Sequence, residues 1–421
     1  MRADLELSGR RRLTQSELNL ILNAHERLVA RMPGGKRAIL RFTHLSGLDL
    51  SRRDLSGVDL SASVLEGCKL QGSKLDGANL FGCDLRRADM RGASLVDADM
   101  RGVVLRGATL SSVNLTRADL RPAVVTAPGA HRNRSGAESL RPSEADEADF
   151  GGAVLNDAQF SDVSAISADF TDAALRGVTL QGATLRGAKF AGAILVNADF
   201  TNADLDRADF EGAVLMNVTL TGAKTVATKM GGCLVDPTPD SVERSRVVHA
   251  ALVEHDRWCR TDGREGSPAI IDGEDLRPLT TALTGLKLTA ISARRTCFVG
   301  LKLSGAEMQG AKLDGADLRA ADLRGADLRG IRLRGANLSK AVLRDAKLGP
   351  LPLRDRNSPA DLSAARGRYL EALGADFTAA ILDDADLRGA DFTGATVDGA
   401  SLKNVVTTQV VWGVSPTESG D

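Results

Sequence analysis

Leucine or phenylalanine recurs at every fifth residue through most of this chain, with a small residue two places ahead and polar or glycine residues between. In the stretch GADLRAADLRGADLRGIRLRGANL, residues 315–338, Leu318, Leu323, Leu328, Leu333 and Leu338 keep the phase, preceded by Ala316, Ala321, Ala326, Ile331 and Ala336. On an α-helix a five-residue step rotates by about 140° and scatters these leucines around the cylinder. In a flat strand the same odd step sends successive leucines to opposite faces. A chain that turns a corner every five residues aims all of them inward. The period therefore predicts a coil of short straight runs. The frequent Gly fits corners, where positive φ is cheap, and not helix, where each Gly costs about 1 kcal/mol against Ala.

The phase runs in four blocks: Leu45 to Leu120, with Met90 and Met100 at the large position; Phe150 to Leu220; Phe298 to Leu348; and Phe377 to Leu402. In the second block Phe150, Phe160, Phe170, Phe190, Phe200 and Phe210 are the large residues, and Ala165 is the weak one. Units such as ADLRG, ANLFG, ADFTN and ADFEG resemble the pentapeptide-repeat family, whose pattern is a small residue, Asp or Asn, Leu or Phe, then two variable positions. The resemblance covers about two-thirds of the chain. It implies an all-β repeat solenoid, a right-handed four-sided parallel β-helix in which four pentapeptides make one coil. The number of sides comes from the resemblance, because period five alone does not separate three from four. Stacked coils are expected about 4.8 Å apart.

Helical spacing breaks in twice. LTQSELNLILNAHERLVARM places Leu18, Ile21, Leu22, His25, Leu28 and Val29 on one face, with Thr14 and Glu17 set as a capping box. TPDSVERSRVVHAALVEHDRWC does the same with Val248, Ala251, Leu252, His255 and Trp258. Leu22, His25, Glu26, Arg27 and Leu28 parallel Leu252, His255, Asp256, Arg257 and Trp258, and a Gly-rich turn follows each segment, which implies an internal duplication. Such helices are expected to cap the open coil ends, whose unpaired strand edges invite aggregation. His25 and His255 are read as structural.

The expected organisation is a capping helix region at 1–40, repeats at 41–120, a linker or projecting recognition loop at 121–145, and repeats at 146–230. A second capping region at 231–268, repeats at 269–350, an interruption at 351–374 with a short helix around Ala364 to Leu373, and repeats with a final strand at 375–412 follow. The C-terminal VVTTQVVWGV is expected to finish the last coil or to join two chains as a homodimer.

Composition narrows the functional classes. The net charge of −1 excludes a wholesale nucleic-acid binder, and 3% aromatic content weakens base stacking. Without an eighteen-residue apolar run or a basic-then-apolar leader, the reading is a bacterial cytoplasmic protein with no membrane span. Cys68, Cys83, Cys233, Cys259 and Cys297 form no CxxC and lie near no His at ligand spacing, so they read as small hydrophobes and no metal or cofactor is expected. The abundant carboxylates sit at the repeat's surface position, and no nucleophile elbow, phosphate loop or HExxH occurs; an enzyme is not expected.

If residues twenty apart stack, outward positions form ladders. One of them, Val154, Ala174, Ile194 and Val214, is apolar, flanked by Asn156, Arg176, Val196 and Met216. It reads as a partner or dimer interface formed by Val154, Ile194, Val196, Val214 and Met216, or as a strip covered by the protein's own linker or helix. Arg319, Arg324, Arg329 and Arg334 fall on four different faces, a solvated ring free to pair with Asp317, Asp322 or Asp327. Charge alternates by block, with six basic against twelve acidic residues over 146–230. Two functions follow. One is a noncatalytic scaffold or adaptor that binds proteins on long faces. The other comes from the resemblance: some family members mimic B-DNA, bind DNA gyrase and protect it from quinolones. Those are shorter and strongly acidic, and here only 146–230 is acidic enough.

Overall fold

The computed structural model describes residues 10–124, 140–280 and 282–413. The chain forms two compact units, Met1–Asp236 and Pro237–Asp421. In each, the residue just before the large one forms a parallel bridge to the residue twenty further on, as in Asp49↔Lys69↔Asp89 and Cys297↔Asp317↔Asn337. Twenty residues are four pentapeptides, so each coil has four sides. The rungs are ordinary hydrogen bonds: the Leu323 N–H donates to the Val342 carbonyl at 2.8 Å, and the Asp322 N–H to the Leu301 carbonyl at 2.9 Å.

The large and small positions fill the tube. Leu318, Leu323, Leu328, Leu333 and Leu338 are all buried, as are the alanines ahead of them. In the first unit Phe150, Phe170, Phe190 and Phe210 stack nearly parallel, centroids 4.7–4.9 Å apart, while Phe160 and Phe200 meet them edge-on. The ring separation equals the strand spacing, so one backbone repeat sets both. Cys68 and Cys83 are buried at the small position, each Sγ 2.9 Å from a carbonyl, of Leu45 and Leu60. Burial pushes the Cys68 thiol up to about 12, which leaves it inert.

Each unit opens with a helix whose side chains supply the acceptors that a preceding coil would have supplied. In the first unit, helix α1 (Gln15–Val29) starts at the Thr14–Glu17 capping box. From it Gln15 pairs with both backbone groups of Asp49 at 2.8 Å, Glu26 accepts the Asp54 N–H at 3.2 Å, and His25 Nδ1 accepts the Ala38 N–H at 3.2 Å. Arg11–Arg12 adds a short parallel strand on Thr43–His44. Helix α2 (Pro239–Arg260) repeats the scheme in the second unit: His255 Nδ1 accepts the Ala269 N–H at 3.0 Å, and Asp256 accepts the Lys287 N–H at 2.8 Å. Leu18, Leu22, Val248 and Leu252 bury the apolar faces on the coil ends, whereas Leu28 and Val29 are exposed.

The bridges show how the two interruptions are built. Val104 bridges to Glu144, Thr109 to Asp149, Asn114 to Val154 and Asp119 to Gln159, so the coils of 41–120 and 146–230 stack directly in one β-helix. The segment between them is an excursion from one corner, closed at its base by antiparallel pairing of Ala123–Val124 with Leu140–Arg141, and not a linker. Its middle, 125–139, lies outside the described residues. Likewise Arg332 bridges to Asp361, Asn337 to Arg366, Val342 to Glu371 and Lys347 to Asp376. The second interruption is therefore a nine-residue insertion with a hairpin, Leu351–Pro352 against Asn357–Ser358. The helix expected around Ala364 to Leu373 does not form; those residues make a coil. Leu370 fills the small position there and Ala372 the large one, an exchange that keeps the interior volume.

The C-terminal segment completes the last coil of the second unit. Val411–Trp412 pairs in parallel with Asp391–Phe392, and the Trp412 ring lies 4.9 Å from Phe392.

Candidate interaction surface

The outward side chains obey a local rule. An Asp before the large residue folds one carboxylate oxygen over the N–H two residues on, and when that later residue is Arg the guanidinium returns a two-pronged bond. In Asp322 and Arg324 the backbone bond is 3.2 Å and the forked bonds are 2.9 and 2.6 Å. The same fork joins Asp84 to Arg86, Asp89 to Arg91, Asp99 to Arg101, Asp119 to Arg121, Asp317 to Arg319, Asp327 to Arg329 and Asp386 to Arg388. The Arg324 guanidinium, with smaller backbone and Ser304 contributions, pulls the Asp322 carboxyl down to about 2. Each fork is close to neutral and, at the surface, stabilises by no more than about 1 kcal/mol.

The expected pairing of Arg319, Arg324 and Arg329 with the preceding Asp is thus observed, while Arg334 lies 3.8 Å from Asp361 instead. Arg319 departs from the expected solvated ring, being 9% exposed. Over 146–230 the forks are missing. Asp169 and Asp199 turn over Thr171 and Thr201, Asp209 over Glu211, and the nearest cations are Lys189 and Lys229, 3.4 and 3.5 Å from Asp169 and Asp209. The acidic excess of this block remains on its surface because threonine and glutamate replace the arginine of the repeat.

The apolar ladder assembles as the spacing predicts: Val154, Ala174, Ile194 and Val214 are successive bridged residues on one face, continued by Leu234. Its exposure is corrected. Ile194 and Val214 are 1% and 0% exposed, and Val154, Val196 and Met216 are half-buried. Beside them Arg176 is desolvated, which lowers its pKa. Apolar outward rungs gain from being covered, and repeat spacing carries no signal of which outward rungs are.

Functional features missed in the sequence are the side-chain acceptors that close the first coils. His25 and His255 are 1% and 0% exposed, and burial lowers both pKa values. The signal was their equivalent place ahead of Ala38 and Ala269 in the duplicated segments. Among the described residues no group of three or more His, Cys, Asp or Glu converges, and no helix is long and apolar enough to cross a membrane.

Several solved structures are similar. HetL, a pentapeptide repeat protein involved in heterocyst differentiation regulation from the cyanobacterium Nostoc sp., is 23% identical, with 76% of this chain and 90% of that one covered and a TM-score of 0.23. QnrB1, a plasmid-mediated fluoroquinolone resistance protein, is 18% identical over 49% of this chain and 95% of its own, with a TM-score of 0.33. A pentapeptide repeat protein of the Arabidopsis thaliana thylakoid lumen is 30% identical over 30% of this chain and 69% of its own, TM-score 0.15. No curated protein matches. The family model for pentapeptide repeats matches the chain in eight copies, which cover residues 43–82, 83–121, 146–182, 183–222, 283–319, 316–349 and 374–406. These matches span more than half of the chain, which therefore belongs to the pentapeptide-repeat family, the right-handed quadrilateral β-helices.

Proposed function

We propose that this protein is a noncatalytic, cytoplasmic scaffold or adaptor that binds other proteins on the outer faces of its β-helices. The observation that carries the reading is the continuity of those faces. Both interruptions leave the coil stack unbroken, so the outward ladders of each unit run on past them. The acidic coils of 146–230 favour a basic partner surface. Capture of binding proteins from native cytosol tests this, with wild type beside a Glu147→Lys, Glu211→Lys variant; both glutamates are exposed. Loss of one partner with the variant supports an acidic docking face. Identical capture with this variant and with charge reversals on the other faces refutes the scaffold.

The same acidic block favours a second reading, binding to DNA gyrase in place of DNA. Protection of purified gyrase against a quinolone by this protein, absent for the charge-reversed variant, decides for it; no binding to gyrase removes it. Homodimerisation through the C-terminal coil belongs to either reading, since Val406 and Val411 are 43% and 53% exposed on the final rungs. Unchanged mass in light scattering for a chain ending at Asn404 counts against it.

A further inference from the structure

We propose that the two capping helices are acid-sensitive latches, each held shut by one buried neutral histidine and released from its β-helix when that histidine takes up a proton. The same construction appears in both units. A histidine on the coil-facing side of the helix is buried, and its Nδ1 accepts a backbone N–H from the first straight run, Ala38 in one unit and Ala269 in the other. A nitrogen that accepts a hydrogen bond carries no proton, so the ring is fixed as the tautomer with hydrogen on Nε2. In the second unit that hydrogen is donated to the Thr289 carbonyl at 3.1 Å. In the first, Nε2 is buried facing the backbone of Ser56, at the equivalent corner.

Protonation of Nδ1 places two hydrogens against each other along the same line. The bond to Ala38 or Ala269 is lost, and a charge is left on a buried ring. The surrounding groups do not compensate. Around His25 stand Glu26 of its own helix, Arg53 and Asp54 of the first coil and Arg37 of the connecting turn; Arg53 and Glu26 are paired at 2.7 Å. Around His255 stand Asp256, Cys259 and Trp258 of its own helix and Lys287 of the coil; Asp256 is engaged by Arg260 at 2.7 Å and by the Lys287 N–H. Burial, the largest influence on each ring, holds its pKa below the ordinary value near 6.5. The sign follows: the closed cap binds fewer protons than the open one, so it is fully favoured above about pH 6.5 and loses ground as pH falls. Opening lays bare the first-coil edge that Glu26 and Asp256 otherwise occupy.

Amide hydrogen exchange on the full chain, normalised for intrinsic rates, tests the latch. Between pH 6.5 and 5.0 the amides of Ala38, Ala269 and the two helices should lose protection progressively, up to a limit of about sixteenfold set by one titrating group, while amides such as Leu323 and Leu180 in mid-stack hold theirs. A His25→Asn, His255→Asn variant, whose side-chain oxygen can accept the same N–H without titrating, should keep its cap protection over that range. Constant protection in the wild type overturns the proposal, as does the same loss in the variant. Should the variant fail to fold, the wild-type imidazole proton signals decide: ring titration and cap exchange must share one midpoint, and titration without a loss of protection overturns the proposal.

Discussion

Replacing Phe170 by Leu isolates what the aromatic column contributes. The ring is fully buried between Phe150, at 4.8 Å and an interplanar angle of 2°, and Phe190, at 4.9 Å and 3°, and it meets Phe160 edge-on at 6.3 Å. Leucine retains most of the apolar burial but none of the three ring pairs. At about 0.5–1.5 kcal/mol per pair beyond area burial, their loss amounts to about 1.5–4.5 kcal/mol. Dispersion regained by the leucine favours the lower half of that range. Phe298 is the control: it is 1% exposed and, among the described residues, has no ring neighbour, so Phe298→Leu should cost less than about 1.5 kcal/mol. Urea unfolding followed by far-ultraviolet circular dichroism is the suitable assay. Both tryptophans, Trp258 and Trp412, lie in the second unit, so their fluorescence reports that unit alone and serves as an internal reference for variants in the first. The column reasoning predicts a lowered midpoint in the dichroism signal at unchanged slope, with the fluorescence transition unmoved. Equal costs for Phe170→Leu and Phe298→Leu would refute it, because the rings would then act only as bulk.

Further outcomes follow from single positions. Leu323→Asp puts an unpaired charge at an inward rung and should destabilise the second unit by several kcal/mol; an unchanged melting temperature would show that Leu323 does not face inward. Gly330 and Gly335 both adopt left-handed backbone, φ +65° and +63°, but a Cβ on Gly330 would lie 2.6 Å from Leu351 Cβ and one on Gly335 would meet nothing within 4 Å. Gly335→Ala should therefore cost only the conformational penalty of about 1–2 kcal/mol, and Gly330→Ala more, with loss of hairpin protection in hydrogen exchange. The Asp322 carboxyl should titrate near pH 2 by NMR and move up toward the ordinary carboxylate range in Arg324→Gln. Since its folded pKa is depressed, the stabilisation is complete above about pH 4 and fades as pH falls toward 2.

The coil was legible because its inward residues repeat in sequence with the period of the structure. Leu318 to Leu338 needed no more than the step of five. Legibility failed where that correspondence lapses. At Leu370 and Ala372 the large and small residues exchange places, and Gly367 holds another large position, so a coil read as an interruption with a helix. At the first insertion bridges join residues forty apart, so the phase is kept and the extra twenty residues read as a gap; at the second they join residues twenty-nine apart, so the phase shifts while the stack does not. The buried outward residues Ile194, Val214 and Arg319 were illegible for another reason: the repeat fixes which way a side chain points but carries no signal of its accessibility. The capping helices were legible as amphipathic segments, but the donors they satisfy were not, because an open coil edge is a property of three-dimensional stacking.

The excursion that leaves the first β-helix after Arg121 and returns at Ser143 has an evolutionary and engineering consequence. It rejoins the same corner, so register in this fold is counted in corners and not in residues. Doubling such a loop costs only about 0.6 kcal/mol of closure entropy. A lineage can therefore acquire or exchange the peptide between those corners without renegotiating a single rung above or below it. The same site suits grafting of a foreign epitope or small domain, with undisturbed melting of the coils on either side as the criterion of success.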